Sequence, residues 1–181
     1  DKYSVTLSLE RMNKIKNFSS INQSIEVEAG VILETIHEFV DKRNFLYPLS
    51  MASKGTCCIG GNLATNAGGI GVLKYGNARD LCLGLEVVLA DGSIINDIKT
   101  LKKDNTGYDL KNLFIGSEGS LGIITRAVLR LYPTPQNKVV AFFGVQNFNA
   151  ALKSFLEISK RFGQDLQAFE LISDVGLRFL E

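Results

Sequence analysis

Residues 55 to 76 read GTCCIGGNLATNAGGIGVLKYG, and seven of the chain's 17 glycines fall there, beside two asparagines and two threonines. Side chains this small leave backbone N–H groups free to approach a ligand closely, and rows of such groups bind anions. Each glycine inside a helix costs about 1 kcal/mol against alanine, and glycine is equally poor inside a strand, so an irregular segment is expected. A P-loop would need Gly-Lys-Ser/Thr at its end, but Lys74 is followed by Tyr75. A dinucleotide fingerprint would need a strand before it and a helix after it, and only Ile59 and two cysteines precede. Two readings remain: a backbone-lined groove for a long anionic ligand, or a surface loop whose glycines serve turn geometry. A second cluster, Gly116, Gly119 and Gly122 in DNTGYDLKNLFIGSEGSLGIIT, favours the groove, since two clusters can face each other across a ligand. Asp104, Tyr108 and Asp109 could do acid–base work, but bracing the loop that presents Gly116 is the simpler role. Cys57 and Cys58 suggest a redox pair, yet adjacent cysteines make strained disulfides, and packing is the better reading.

The elements that must position these residues follow from periodicity. VTLSL (5–9) alternates as a half-buried strand, and Ile25 and Val27 repeat the pattern. VILETIHEFVDKRN shifts to helical spacing, with Ile32, Ile36 and Phe39/Val40 on one face and His37 beside it as an ordinary helix residue. LGLEVVLADGSIIND reads as a hairpin turning at Asp91-Gly92. In GIITRAVLRLYPTP, Thr125, Ala127, Leu129 and Leu131 share one strand face, with Arg126, Val128 and Arg130 on the other. Pro133 and Pro135 end that strand and mark a boundary. Beyond it, KVVAFFGV, an amphipathic helix (Phe148, Leu152, Phe155, Ile158, Phe162, closed by Gly163) and LQAFELI read as strand, helix and strand. Ser173 or Asp174 then caps a last helix.

Composition narrows the function. The chain has 181 residues, 45% of them apolar, and 20 basic residues balance 19 acidic ones. One domain with a real core is expected, and nothing in the charge favours nucleic acid or an anionic membrane as partner. No apolar run is long enough for a membrane span. Three cysteines form no disulfide framework, which suits a reduced, cytoplasmic setting. A single histidine leaves no His-rich metal site, so no metal ligand is assigned.

GTCCIGGNLATNAGG, YGNARDLCLGLEVVLADGS, KKDNTGYDLKNLFIGSEGSLGIIT and AFELISD together resemble the FAD-linked oxidase family, which shares its flavin domain with vanillyl-alcohol oxidase. Within it the chain is similar to the branch that oxidises D-lactate, glycolate or D-2-hydroxyglutarate. The resemblance implies an α+β fold: an FAD-binding subdomain over 1–134, with a mainly antiparallel sheet flanked by helices, then the start of a ferredoxin-like substrate domain over 135–181. It implies non-covalent FAD in an extended pose. Pro48, Gly55, Thr56 and Cys57 would lie along the isoalloxazine, and Gly60, Gly61 and Asn62 would approach the pyrophosphate. Thr65, Asn66, Ala67 and Gly68 would continue that wall, and Tyr75 and Gly76 would close it. Glu118, Gly119, Gly122, Ile123 and Ile124 would come from the second cluster, the two isoleucines through backbone near the adenine half.

The resemblance also implies a partial chain. Family members carry a Pro-x-Gly-Gly-x-Thr-type phosphate loop upstream of VTLSLERMN. Their substrate domain supplies the histidines, arginine and metal ligands that hold and deprotonate the 2-hydroxy acid. No catalytic residue is therefore assigned here. The expected parent reaction is oxidation of a D-2-hydroxy acid to the 2-oxo acid, with hydride passing to flavin N5. The alternatives are a non-catalytic flavin-binding or structural fragment, or a subdomain that needs a partner chain. Self-association through exposed apolar surface, and a peripheral place at an inner membrane or in mitochondria, complete the expectations.

Overall fold

The computed structural model describes residues 5–179. Strands β1 (Ile15–Ser19) and β2 (Ser24–Glu28) form a hairpin whose turn places Gln23 at φ 49°. Helix α1 (Leu33–Asp41) follows and buries Leu33, Ile36 and Val40 at helical spacing. Ile32, expected on that face, is instead the residue just before the helix and is exposed. β3 (Phe45–Leu46) leads into the glycine run, which holds two short helices, α2 (Ile59–Ala64) and α3 (Val72–Tyr75). β4 (Cys82–Val88) and β5 (Ile94–Asp97) form the hairpin expected at Asp91-Gly92, with Gly92 at φ 84°. α4 (Lys111–Phe114), β6 (Ile123–Arg130) and β7 (Tyr132–Pro133) complete this part, and α5 (Phe148–Phe162) and α6 (Asp174–Arg178) follow.

The main sheet runs β1-β2-β6-β4-β5 and is antiparallel at every pairing. β3 and β7 pair separately. This is the α+β arrangement expected, a mainly antiparallel sheet flanked by helices. One sheet face carries Ile25, Val27, Leu85, Ala127 and Leu129 into a core shared with α1 and with Ile59 and Leu63 of α2. Each such large apolar side chain, once fully buried, contributes roughly 1.5–3 kcal/mol. The other face carries Arg126, which joins Glu26 on β2 and Glu86 on β4. The alternation read in β6 holds for Ala127 and Leu129 against Arg126, but Val128, expected opposite the core face, is buried too, and Thr125 Oγ1 donates to Glu86 Oε1 at 2.8 Å where the register shifts.

Four expectations change. VTLSL is not a strand: Val5 and Leu7 are exposed, and the first strand is β1, ten residues on. Leu9 and Met12 instead form a turn, and the Gly30 N–H donates to Met12 O at 2.8 Å. The glycine run is not irregular throughout, because α2 begins inside it. KVVAFFGV and LQAFELI pair with no strand among the described residues. They flank a cavity of about 300 Å³ beside Ala151 of α5, with Phe169 edge-on to Phe143 and Phe155. Alternating apolar residues make a strand only when a neighbouring edge takes their N–H and C=O groups, and none does here. Gly163 (φ 51°) closes α5 and Ser173 Oγ caps α6, both as expected.

Candidate functional site

The site is built where the two glycine clusters meet. α2 starts firmly: the Ile59 N–H donates to Val31 O and the Gly60 N–H to Ala29 O, which anchors the helix to the chain after β2. Its last carbonyls would be left without intrahelical partners. The second cluster supplies them, since the Gly116 N–H donates to Leu63 O at 3.0 Å and the Glu118 N–H to Ala64 O at 2.9 Å. The clusters are therefore bonded edge to edge. At this joint they touch directly, with no space for a ligand between Leu63–Ala64 and Gly116–Glu118.

That joint is held in an unusual backbone state. Asn66 (φ 49°) and Glu118 (φ 51°) both adopt the left-handed region, where a non-glycine residue is strained unless its surroundings over-determine it. Asn66 is locked by its Oδ1, which accepts the Arg79 N–H at 3.0 Å. The Arg79 guanidinium then donates to the carbonyls of Asn112 and Ile115. Arg79 thus ties the segment after the first cluster to the segment before the second. Sequence reasoning missed it. The only signal was an arginine inside YGNARD, among residues otherwise chosen for small size.

The glycines divide by what surrounds them. A Cβ on Gly60 would lie 2.7 Å from Ala29 Cβ, so glycine there lets α2 sit against β2's continuation. A Cβ on Gly69 would collide with the Ser50 backbone. At Gly61 a Cβ would meet nothing within 4 Å, the residue is exposed, and its N–H has no partner among the described residues. Within the first cluster, Gly61 is the position whose small size the chain's own packing does not explain.

The other expected site residues fall into neighbourhoods. Asn66 and Glu118 lie at the bonded joint, Thr65 Oγ1 donates to Gly61 O at 3.0 Å, and Ala67 O accepts the Ala78 N–H. Gly68 lies against Asn77 and Val72, Gly119 near Ile123, and Gly122 against Val87 and Val88; Ile123 and Ile124 open β6 opposite Val88 and Val87. Asn62 is buried and donates to Cys57 Sγ at 3.5 Å. Gly55 faces Glu34, which pairs with Lys54 at 3.1 Å. Thr56 and Cys58 line a cavity of about 560 Å³ with Glu10 and Thr35. Pro48 lines another, of about 370 Å³, beside His37 and Ile70, and Tyr75 packs edge-on against Tyr132 at 4.8 Å. Gly76 (φ 77°) lies against Asp80.

Side chains that could have carried chemistry are engaged otherwise. Asp109 accepts from Lys111 and from Asn112 Nδ2 at 2.8 Å, bracing α4, and Asp104 pairs with Lys99 at 2.6 Å, which holds its carboxyl down to about 2. Burial pushes the Cys58 thiol up, and Cys82 to about 12, so neither is a ready thiolate. Burial lowers His37, whose Nε2 lies 2.9 Å from Leu49 O. No group of three or more metal-ligating side chains occurs among the described residues.

A family model described as an FAD binding domain matches residues 2–97. The chain belongs to that family. Mitochondrial D-2-hydroxyglutarate dehydrogenase from Bos taurus is 46% identical over 168 residues, which cover 93% of this chain and 31% of the relative. D-2-hydroxyglutarate–pyruvate transhydrogenase from Saccharomyces cerevisiae is 40% identical, covering 93% and 34%. Among solved structures, alkyldihydroxyacetonephosphate synthase aligns with a TM-score of 0.62 at 26% identity, covering 71% of this chain and 23% of that one. The chain spans about a third of the length of the curated relatives it matches. FAD fits the residues present: an exposed Gly61 with an open N–H and vacant space above its Cα is what close approach of a pyrophosphate or ring requires.

Proposed function

We propose that this chain contributes the cofactor-binding surface of an FAD-dependent dehydrogenase that oxidises a D-2-hydroxy acid to the 2-oxo acid. The observation that carries the reading is the joint itself: two glycine clusters bonded through Leu63 and Ala64, with Gly61 left open at its edge. The relatives' names support the substrate class, with D-2-hydroxyglutarate the first member to test and D-lactate and glycolate beside it. Bound FAD would supply the hydride acceptor at N5. The chain's own part is to present unpartnered N–H groups at Gly61 and along 68–71, and to keep Asn66 and Glu118 in place beneath the ligand. Pro48, Gly55, Thr56, Cys57, Gly60 and Asn62 extend that surface, as do Thr65, Ala67, Gly68, Tyr75 and Gly76. Gly119, Gly122, Ile123 and Ile124 complete it. Cofactor-binding residues occupy 1–134, and 135–181 begin a substrate domain.

With one histidine and no metal-ligating group among the described residues, the base that takes the hydroxyl proton is not assigned to this chain. Alone, it is expected to retain little FAD and to turn over no 2-hydroxy acid. Exposed Val139, Val140, Phe142 and Phe179 support self-association of the isolated chain, which sedimentation velocity would detect as concentration-dependent mass. No helix among the described residues is long and apolar enough to cross a membrane, and a mitochondrial setting is proposed from the name of the Bos taurus relative. The test is titration with FAD, followed by absorbance near 450 nm and flavin fluorescence. Saturable binding that Gly61→Val abolishes supports the reading, and unchanged affinity in that variant refutes the placement. Turnover by this polypeptide alone would refute the assignment of the base elsewhere.

A further inference from the structure

A second polar cavity, of about 330 Å³, opens at the end of the sheet where β4 begins, β5 ends and β6 ends. The segment from Lys99 to Asn112 forms its other side. Most of its charges are already committed. Lys99 pairs with Asp97 at 2.8 Å and with Asp104 at 2.6 Å, and Lys111 pairs with Asp109. Arg79 is spent on the carbonyls of Asn112 and Ile115, Lys102 donates to Gln23 Oε1, and Asp80 accepts the Asn77 N–H.

Arg130 is the exception. Its guanidinium stacks over the Tyr132 ring at 4.8 Å and makes no hydrogen bond among the described residues. Its Nε is buried without a partner. A buried charged donor left unmade is costly, and a guanidinium is satisfied best by an oxyanion that accepts two of its parallel N–H groups. The cavity's four aspartates do not meet that need, since none lies within ion-pair distance of Arg130; Asp97 and Asp104 share Lys99, and Asp109 pairs with Lys111. Five cations (Arg79, Lys99, Lys102, Lys111 and Arg130) line the cavity against four aspartates (Asp80, Asp97, Asp104 and Asp109), so its lining carries one net positive charge.

We propose that this cavity binds a small oxyanion, a carboxylate or a phosphate, on the Arg130 guanidinium. Tyr132 holds the plane of the guanidinium from one side, which fixes the fork for bidentate recognition. The site uses neither glycine cluster and is independent of the flavin reading.

The test uses the full chain, titrated by calorimetry with sodium phosphate and, separately, with sodium malonate, at ionic strength held constant with sodium chloride. Thermal unfolding is followed in parallel, since a ligand that binds only the folded state raises Tm as its concentration exceeds Kd. Saturable one-to-one binding of either anion is expected, and which one binds tells phosphate from carboxylate recognition. Arg130→Gln should weaken that binding at least tenfold, and Arg130→Lys, which keeps the charge and loses the fork, should also weaken it. The wild-type titration and the lysine variant serve as the test should Arg130→Gln fail to fold. Absence of saturable binding beyond the chloride control, or equal affinity in wild type and either folded variant, would overturn the proposal.

Discussion

Alanine at Gly60 and at Gly61, one at a time, should have opposite effects on stability although the two are neighbours in one short helix. At Gly60 the new methyl carbon would sit 2.7 Å from Ala29 Cβ and 3.0 Å from Ala29 O. The same carbonyl accepts the Gly60 N–H at 2.8 Å, so α2 cannot back away without giving up its anchor. Overpacking of this kind costs about 1–3 kcal/mol, and the weakened hydrogen bond adds about 1 kcal/mol. For a chain of this length each kcal/mol moves Tm by roughly 2–4 °C, so Gly60→Ala should lower it by roughly 4–16 °C. At Gly61 the methyl meets nothing within 4 Å, and replacing a helical glycine by alanine should stabilise by roughly 0.5–1 kcal/mol. Flavin affinity should not follow stability. Gly61→Val places a branched side chain on the proposed ligand face, and displacing one charge-assisted hydrogen bond there, worth about 1.5–3 kcal/mol, weakens binding at least tenfold. Circular dichroism melts give the stabilities, and quenching of flavin fluorescence gives the affinity, undisturbed by tryptophan because the chain has none. Equal Tm losses at both positions, or a Gly61→Val protein that binds FAD like wild type, would refute the division of the glycines into packing and ligand-facing kinds.

Arg79→Met should free the 112–118 segment from Asn66, lowering stability by about 1–3 kcal/mol and flavin affinity with it, while hydrogen exchange quickens first at Gly116 and Glu118. Arg126→Met should leave Glu26 and Glu86 facing each other unpaired, at a cost of about 1–2 kcal/mol near pH 7 in chemical denaturation. Arg126 holds the Glu86 carboxyl below its ordinary value of 4.5, so that part of the stability is present above 4.5 and lost as pH falls through the lowered value. The gap between wild type and Arg126→Met should therefore close in acid, and a gap that stays constant down to pH 2 would contradict the ion network.

Much of the fold was legible because it rests on local pattern. The Asp91-Gly92 turn, the alternation through β6 and the apolar stripe of α1 each state their element within a dozen residues, and the antiparallel sheet follows from joining them. What failed needed tertiary information. VTLSL alternates as well as β1 does, but only β1 is positioned by a turn to pair with β2. β3 and β7 are two residues each, too short for any period to register. The helix inside the glycine run contradicts propensity, because docking Ile59 and Leu63 in the core outweighs two helical glycines at about 1 kcal/mol apiece.

The candidate site shows the same division at finer scale. Its composition was readable, since clustered glycines near Asn and Thr state that backbone must come close to something. What the composition could not say is that for Gly60 and Gly69 the something is the chain itself. A glycine needed for helix–strand packing and one needed for a ligand are identical letters, and they part only when a Cβ is placed on each and its neighbours are seen. Arg79 was hidden for a related reason: its partners lie 33 and 36 residues away, and nothing local requires an arginine there. Gly60 seats α2 against Ala29, Arg79 ties Asn66 to the segment before Gly116, and Gly61 lies open in the same helix. Substitutions at Gly60, Gly69 or Arg79 should therefore reduce flavin binding only as far as they loosen the joint, and substitution at Gly61 should reduce it with the joint intact.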